Sequence, residues 1–194
     1  MIFVVERSGL TQEAFEEFAG QAQRVEEAPW LEFLNGKPAF KVRPYGSRGR
    51  IVEWLTCPCA QADQGNWLFA AQGLRVGTYR KGNARPDGVL APLDTFVGQG
   101  EWAGPDGVLM VVEVTSYDED TDRRDRVEKP RAHAGTGIPA HLLIDRDTCE
   151  IKVHSQPDGV RYEQVVTVPY GKTVELPDPV GIELDTEPLK NWVR

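Results

Sequence analysis

The hydrophobic pattern near the N-terminus predicts a helix followed by a β-hairpin. Over residues 11–27, Thr11 is a helix-capping residue type, and Phe15 and Phe18 recur at the spacing of one helical face. Downstream, "WLEFLNGKPAFKV" alternates on either side of Asn35–Gly36, a dipeptide that favours a two-residue hairpin turn. We therefore expect an amphipathic helix that precedes two antiparallel strands.

Shorter apolar runs in the central part of the chain are typical of strands. The segments "NWLFAAQGLRVG" and "ARPDGVLAPL" predict strands joined by the basic turn "TYRKGN". Before them, "GRIVEWLTCPCAQA" predicts a short helix that ends near Pro58, because proline disrupts a helix interior. The run Val108 to Val114 is almost entirely apolar and rich in β-branched residues, which indicates a strand buried on both faces.

The C-terminal part of the chain predicts a helix, a strand and hairpins. "DRVEKPRAHAGTG" predicts a helix that ends at Gly135 or Gly137, and "PAHLLID" predicts another buried strand. The remainder predicts a C-terminal β-meander with a turn at Asp158–Gly159. The order of elements predicts an α/β or α+β protein, with a mixed β-sheet flanked by helices, in one domain over residues 1–194.

Composition narrows the cellular setting. Mean hydropathy is −0.41, and no apolar run approaches the roughly 20 residues of a membrane helix, so we expect no membrane partner. The N-terminus "MIFVVERSGL" lacks the basic start of a secretory signal. Two of the three cysteines, Cys57 and Cys59, flank a single proline, which fits neither a disulfide framework nor a paired-cysteine zinc site. These features predict a cytoplasmic protein.

The charge distribution argues against one mode of nucleic-acid binding. A net charge of −8 disfavours coating of nucleic acid by bulk electrostatics. Basic residues nevertheless concentrate in three stretches, for which solvated faces are the simplest explanation. The stretches are Lys37, Lys41, Arg43, Arg48 and Arg50, then Arg75, Arg80, Lys81 and Arg85, then Arg123, Arg124, Arg126, Lys129 and Arg131. A DNA enzyme with a local basic footprint is therefore compatible with this composition.

One predicted strand carries a charge that needs compensation. Glu113 stands in the buried run that ends at Val114, and Asp87 opens the preceding apolar strand "RPDGVL". Two carboxylates at adjacent strand ends, with a backbone carbonyl such as that of Val114, are oxygen ligands that Mg²⁺ prefers, and Mn²⁺ can substitute. Lys129, on the following helix, can add positive charge at a scissile phosphate or orient the attacking water. A metal, together with Lys129, would compensate for Glu113.

Each of these residues also has a plainer explanation. Asp87 follows a proline and could be a turn residue whose side chain bonds its own backbone. Glu113 could point to solvent at the strand end, and Lys129 could be a surface residue paired with Asp125 four positions earlier. These three residues occur in order on a strand, a strand and a helix. That context favours a shared metal site over three separate structural roles.

The same segments carry a resemblance to a known family. "RPDGVL", "LMVVEVTS" and "DRRDRVEKPRAHAGTGIPAHLLID" resemble the Uma-type restriction endonuclease family, within the PD-(D/E)xK nuclease superfamily, and "WLEFLNGKPAF" resembles its E-x-x-x-G hairpin. The likeness spans about residues 11 to 185. The matching positions are Glu32, Asp87, Glu113, Ser116, Asp125, Lys129, Gly137, Ile138, Pro139 and Asp145.

The resemblance implies a restriction-endonuclease-like core and Mg²⁺-dependent hydrolysis of DNA phosphodiester bonds. Asp87 and Glu113 would bind the metal, and Lys129 would support the nucleophile and the transition state. Glu32 would assist as a carboxylate behind the metal ligands or at a second metal. The family likeness also implies DNA as the substrate and a homodimer.

Several positions depart from the pattern of the superfamily or family. The lysine usually lies two residues after the glutamate, where this chain has Thr115; the family places the cation on the next helix, at Lys129. A family tyrosine is replaced by His133, for which a packed position is the simplest expectation. Pro130 requires either a kinked helix or a helix that begins near Lys129, which would set that lysine beside an exposed N-terminus. The segment before Trp67 looks short for the family's helix and lacks its early histidine.

Two other functions compete with a nuclease. A catalytically inactive nuclease-fold module could bind nucleic acid or protein, and the departures at His133 and in the shortened helix favour it. A metal-dependent hydrolase of a small phosphate ester could use the same site. Retention of Asp87, Glu113 and Lys129 together favours the endonuclease.

Overall fold

The computed structural model describes residues 9–24, 30–41, 46–77, 81–115 and 123–192. The helices are α1 (Gln12–Ala22), α2 (Ser47–Ala62), a π-helical turn (Arg124–Glu128) that continues into α3 (Lys129–Gly135), and a 3₁₀ helix (Glu187–Asn191). The strands are β1 (Trp30–Leu34), β2 (Lys37–Lys41), β3 (Asn66–Ala70), β4 (Gly73–Val76), β5 (Gly82–Ala84), β6 (Gly88–Pro92), β7 (Trp102–Ala103), β8 (Met110–Val114), β9 (Ala140–Asp145), β10 (Glu150–Pro157), β11 (Tyr162–Pro169), β12 (Thr173–Leu176) and β13 (Ile182–Asp185). In these ranges, no helix is both long and apolar enough to cross a membrane.

Two mixed sheets confirm the α+β prediction. The larger sheet has the order β11-β10-β9-β8-β6-β3, in which only β8 and β9 run parallel. The smaller sheet has the order β2-β1-β5-β4-β7. The predicted C-terminal meander is interrupted: β9, β10 and β11 are successive neighbours, but β12 and β13 form a separate two-stranded sheet.

Strand β8 divides two parts of the hydrophobic core, as its apolar sequence predicts. Met110, Val112 and Val114 pack in a core that includes helix α2, whereas Val111 packs in a core formed with the smaller sheet. Successive side chains of a strand point to opposite faces, so Glu113 shares the face of Val111. Its carboxylate therefore lies between the two sheets rather than in solvent.

The N-terminal helix and hairpin largely follow the sequence prediction. The Thr11 hydroxyl accepts a hydrogen bond from the Ala14 N–H at 3.2 Å, which caps α1. Phe15 is buried and stacks on a ring of β1, but Phe18 is 55% exposed, so the prediction of a shared inward face is wrong for Phe18. The turn at Asn35–Gly36 has two positive φ angles, 53° and 78°, and confirms the two-residue hairpin.

Three predicted boundaries in the central part of the chain are wrong. Helix α2 continues through Pro58 to Ala62, because its apolar face packs in the core against the larger sheet and this packing outweighs one lost hydrogen bond. The segment "NWLFAAQGLRVG" turns at Ala71, with φ of 58°, into two strands that belong to different sheets. Strand β8 begins at Met110 rather than at Val108.

The helix break at Pro130 is accommodated by the π-helical turn. The Lys129 N–H donates to the Arg124 carbonyl, five residues earlier, and Pro130 occupies the second position of α3. Glu128 has helical backbone angles, so the turn and α3 are continuous. Lys129 is buried inside this continuous element, and the alternative of an exposed helix N-terminus beside it is wrong.

Candidate functional site

Four buried carboxylates meet between the two sheets. Glu32 comes from β1, Asp87 precedes β6, Glu113 lies in β8 and Asp125 lies in the π-helical turn; none is more than 4% exposed. The structure thus brings the predicted residues Glu32, Asp87 and Glu113 into one cluster with Lys129. The alternative of a solvent-facing Glu113 is wrong.

Lys129 is the common partner of three of these carboxylates. Its Nζ lies 2.9 Å from Glu113 Oε2, 3.1 Å from Glu32 Oε1 and 2.9 Å from Asp125 Oδ1. The pairing with Asp125 exists, but the lysine is 1% exposed and is no surface residue. Burial alone would lower the pKa of Lys129, yet the carboxylates hold its pKa well above the ordinary value.

Asp87 is held by two cations and one backbone donor. Arg48 Nη2 lies 2.9 Å from Asp87 Oδ1 and 3.1 Å from Oδ2, and the Val114 N–H donates to Oδ2 at 2.8 Å. Lys41 Nζ lies 3.0 Å from Oδ1. Against the effect of burial, Lys41 and Arg48 lower the pKa of Asp87 to about 2. Asp87 therefore stays ionised and is not a turn residue that only bonds its own backbone.

Lys41 and Arg48 are the site residues that sequence reasoning missed. Both belong to a basic stretch expected to be a solvated face, yet Lys41 is 4% and Arg48 is 8% exposed, so that expectation is wrong for them. The alternation of β2 is inverted, since Phe40 is 67% exposed while the following lysine points inward. The only sequence signal for Lys41 was its position on the strand that pairs with the Glu32 strand.

Glu113 is the least compensated carboxylate of the cluster. Burial raises the pKa of Glu113 to about 7 despite the nearby ammonium groups of Lys129 and Lys41. Both ammonium groups contact Oε2, at 2.9 and 3.0 Å. Oε1 is buried and has no hydrogen-bond partner among the described residues. One carboxylate oxygen is thus left available for a further donor or cation.

Glu32 links the cluster to the smaller sheet. Its Oε1 accepts a hydrogen bond from the Arg85 N–H at 2.8 Å and also faces Lys129. Arg124, which is partly exposed, lies 3.8 Å from Oε2. Burial would raise the pKa of Glu32, but Lys129 and Lys41 lower it. The ionised Glu32 therefore stabilises the protonated, charged form of Lys129.

The carboxylates of Asp87 and Glu113 fit a small divalent-cation site. Within the described ranges, no set of three or more His, Cys, Asp or Glu side chains is arranged to hold a metal. Mg²⁺, however, often takes one or two carboxylates and completes its shell with water. Asp87 Oδ1 and Glu113 Oε2 already lie 3.0 Å from one cation, the ammonium of Lys41, and the unpartnered Glu113 oxygen lies beside them.

Some positions named from the sequence have other placements. Ser116, Arg43 and Arg80 lie outside the described residues. Thr115, at the usual lysine position of the superfamily, accepts a hydrogen bond from the Arg146 N–H at 2.9 Å. Asp145 forms a two-bond ion pair with Arg126, at 2.7 and 2.8 Å. These residues support the fold around the site.

His133 is packed, as expected, within a cluster of all three histidines. Its Nδ1 lies 3.0 Å from His141 Nδ1, so one ring donates and the other accepts. The His154 ring meets His141 edge-on with centroids 5.3 Å apart. Burial lowers the pKa of His133 to about 3, that of His154 to about 4 and that of His141 well below its ordinary value. All three rings are therefore neutral at pH 7.

The histidine cluster should make the protein sensitive to mild acid. In the unfolded chain each ring titrates near pH 6.5, so the cluster's contribution to stability is complete above pH 6.5 and is lost as the pH falls. The loss for fully buried His133 should be roughly 1–2 kcal/mol at pH 5. Urea unfolding at pH 7.5 and 5.0 tests this expectation: the difference should shrink by that amount in His133→Gln. An unchanged difference would contradict it.

Comparisons with known proteins agree with the fold. Residues 13–187 match the Uma2 family model, described as "Putative restriction endonuclease". The chain is also similar to the crystal structure, at 1.96 Å resolution, of a putative nuclease belonging to DUF820 from Anabaena variabilis ATCC 29413. The TM-score is 0.68 at 15% identity, over 95% of this chain and 99% of that chain, which shows a shared fold. No curated protein matched. Because the family match covers most of the sequence, the chain belongs to the Uma2 family of putative restriction endonucleases.

Proposed function

We propose that this protein is a metal-dependent endonuclease that hydrolyses DNA phosphodiester bonds. Membership of the Uma2 family supports a nuclease. The observation that carries the proposal is the pair Asp87 and Glu113, whose oxygens both lie 3.0 Å from a single cationic group in the interior. Such a pair, with one oxygen left unpartnered, suits a divalent ion better than it suits a purely structural ion pair.

Four side chains of the cluster and one backbone carbonyl have proposed roles. Asp87, Glu113 and the carbonyl of Val114 would hold Mg²⁺, for which Mn²⁺ can substitute. The bound ion would supply Lewis-acid polarisation of a phosphate oxygen and lower the pKa of an attacking water. Lys129 orients the Glu113 carboxylate and adds positive charge for the phosphate and the nucleophile. Glu32 assists as a further carboxylate partner that holds Lys129 in place.

A local basic groove supports DNA as the substrate despite the acidic net charge. The groove encloses about 390 Å³ between the β1–β2 turn at Asn35 and the outer face of the helix around Val127. Two exposed arginines, Arg123 and Arg131, line it together with Glu128, so its charged residues sum to a net charge of +1. Guanidinium groups beside a groove suit the phosphates of a nucleic-acid backbone. The rest of the surface can stay acidic because only this footprint needs to be positive.

Cleavage of supercoiled plasmid tests the proposal. We expect nicked and then linear DNA in the presence of Mg²⁺ or Mn²⁺, and no cleavage in the presence of EDTA. A p-nitrophenyl phosphate ester in parallel distinguishes a nuclease from a hydrolase of small phosphate esters. Absence of cleavage of any form of DNA, with no metal binding in calorimetry, would contradict the proposal and favour the non-catalytic binding module.

A further inference from the structure

The ammonium group of Lys41 occupies the position between the two proposed metal ligands. Its Nζ lies 3.0 Å from Asp87 Oδ1, 3.0 Å from Glu113 Oε2 and 2.6 Å from the Arg85 carbonyl oxygen. Two carboxylate oxygens and a backbone carbonyl are the donor set expected around a hard divalent cation. Lys129 does not lie between the two proposed ligands. It shares Glu113 with Lys41, but its other two partners are Glu32 and Asp125.

The charge of the cluster favours a divalent ion over an ammonium at this position. Its contacts of 3.1 Å or less join four carboxylates to three cationic side chains, so this set carries a net charge of −1 when fully ionised; the partly exposed Arg124, 3.8 Å from Glu32, is not counted in it. The members are Glu32, Asp87, Glu113 and Asp125 with Lys41, Arg48 and Lys129. Exchange of the single charge of Lys41 for a divalent cation would make this buried set neutral. Neutrality matters here because an uncompensated charge in a low-dielectric interior is costly.

Lys41 is also placed where its side chain can leave. It is the last residue of β2, and β2 is an edge strand that pairs only with β1 in the described structure. Rotation of the long, flexible lysine stem would withdraw the ammonium without breaking the strand pairing. Arg48 and Lys129, in contrast to Lys41, lie on helices that pack into the interior. Arg48 binds Asp87, and Lys129 binds Asp125 in its own helical segment.

We propose that Lys41 is a resident counter-ion that competes with the divalent metal and is displaced when the metal binds between Asp87 and Glu113. This inference rests on the proposed function, because it concerns the same metal site. Lys41 thereby stabilises the metal-free carboxylates and sets how much free metal is needed to load the site. Lys129 remains in place in both states.

Lysine acylation of the full chain, read by peptide mass spectrometry, tests the displacement directly. Without metal, both Lys41 and Lys129 should be protected from a succinimidyl ester, since they are 4% and 1% exposed. With saturating Mg²⁺, the labelling rate of Lys41 should rise at least about tenfold, while Lys129 stays protected and serves as an internal control. Saturable Mg²⁺ binding with Lys41 still protected would overturn the inference and leave the proposed metal site standing.

Calorimetric titration with Mn²⁺ tests the competition. Lys41→Met keeps the length and the apolar stem but removes the charge, and it should bind Mn²⁺ at least about tenfold more tightly than wild type. Lys37→Met, the same change at the exposed start of β2, should match wild type. Mn²⁺ binding by Lys41→Met together with no detectable binding by wild type would also support the inference. Equal affinity of wild type and Lys41→Met would overturn it, and no Mn²⁺ binding by either would overturn the metal site as well.

Discussion

Replacement of Lys129 by methionine is expected to lower the free energy of unfolding by about 3–5 kcal/mol, which is the usual effect of removing one partner from a buried ion pair. The variant keeps the side-chain volume but leaves Glu32, Glu113 and Asp125 without the ammonium that contacts all three. Urea unfolding of metal-free protein at pH 7.5, followed by far-UV circular dichroism, measures the loss.

An exposed pair provides the matched control for Lys129→Met. Lys190 lies 2.8 Å from Glu187, but its side chain is 50% exposed, so Lys190→Met should change the free energy of unfolding by no more than about 0.5 kcal/mol. The double variant Lys129→Met with Glu113→Gln should recover part of the loss, because one unpaired carboxylate is removed. A cost below about 1 kcal/mol for Lys129→Met would mean that Lys129 does not compensate the cluster.

The order of elements was predictable because its signals are local. The Asn35–Gly36 dipeptide encodes its turn through two positive φ angles, and the apolar β8 run can be satisfied only by burial on both faces. Where tertiary packing overrides a local rule, the prediction was wrong. Pro58 stays inside α2 because the helix packs in the core, and Pro130 is tolerated because a π-helical turn precedes it.

The site was only partly predictable because its cations come from distant parts of the chain. Asp87, Glu113 and Lys129 were identified from the order of strand, strand and helix, and the structure brings them together. Lys41 and Arg48 could not be identified, because no local pattern shows which face of β2 or of the first turn of α2 turns inward. The inverted alternation at Phe40 accompanies the ion pairs of Lys41 with Asp87 and Glu113, which are far from Lys41 in sequence.

Glu113→Gln is expected to reduce plasmid cleavage by at least about 10²–10³-fold, the effect of removing one preorganised electrostatic group from an active site. The amide has the shape of the carboxylate but no charge with which to hold a divalent ion. Calorimetry should accordingly show loss of Mg²⁺ or Mn²⁺ binding. The matched control is Glu183→Gln, the same change at an exposed strand position, which should cleave like wild type.

The stability of Glu113→Gln separates a defect in the site from a defect in folding. In the metal-free wild type, the pKa of Glu113 is about 7 against an ordinary value of 4.5, so the folded state binds this proton more tightly than the unfolded chain does. This contribution to stability is complete below pH 4.5 and is lost as the pH rises through 7. Glutamine is neutral at every pH, so the variant should be at least as stable as metal-free wild type at pH 8, by urea unfolding. If Glu113 is a metal ligand as proposed, Mg²⁺ has to displace the same proton in wild type, so its affinity should rise between pH 6 and 8. A variant that is stable and still cleaves within about threefold of wild type would exclude Glu113 as a metal ligand. Such a result would show that cleavage does not need the negative charge of this carboxylate.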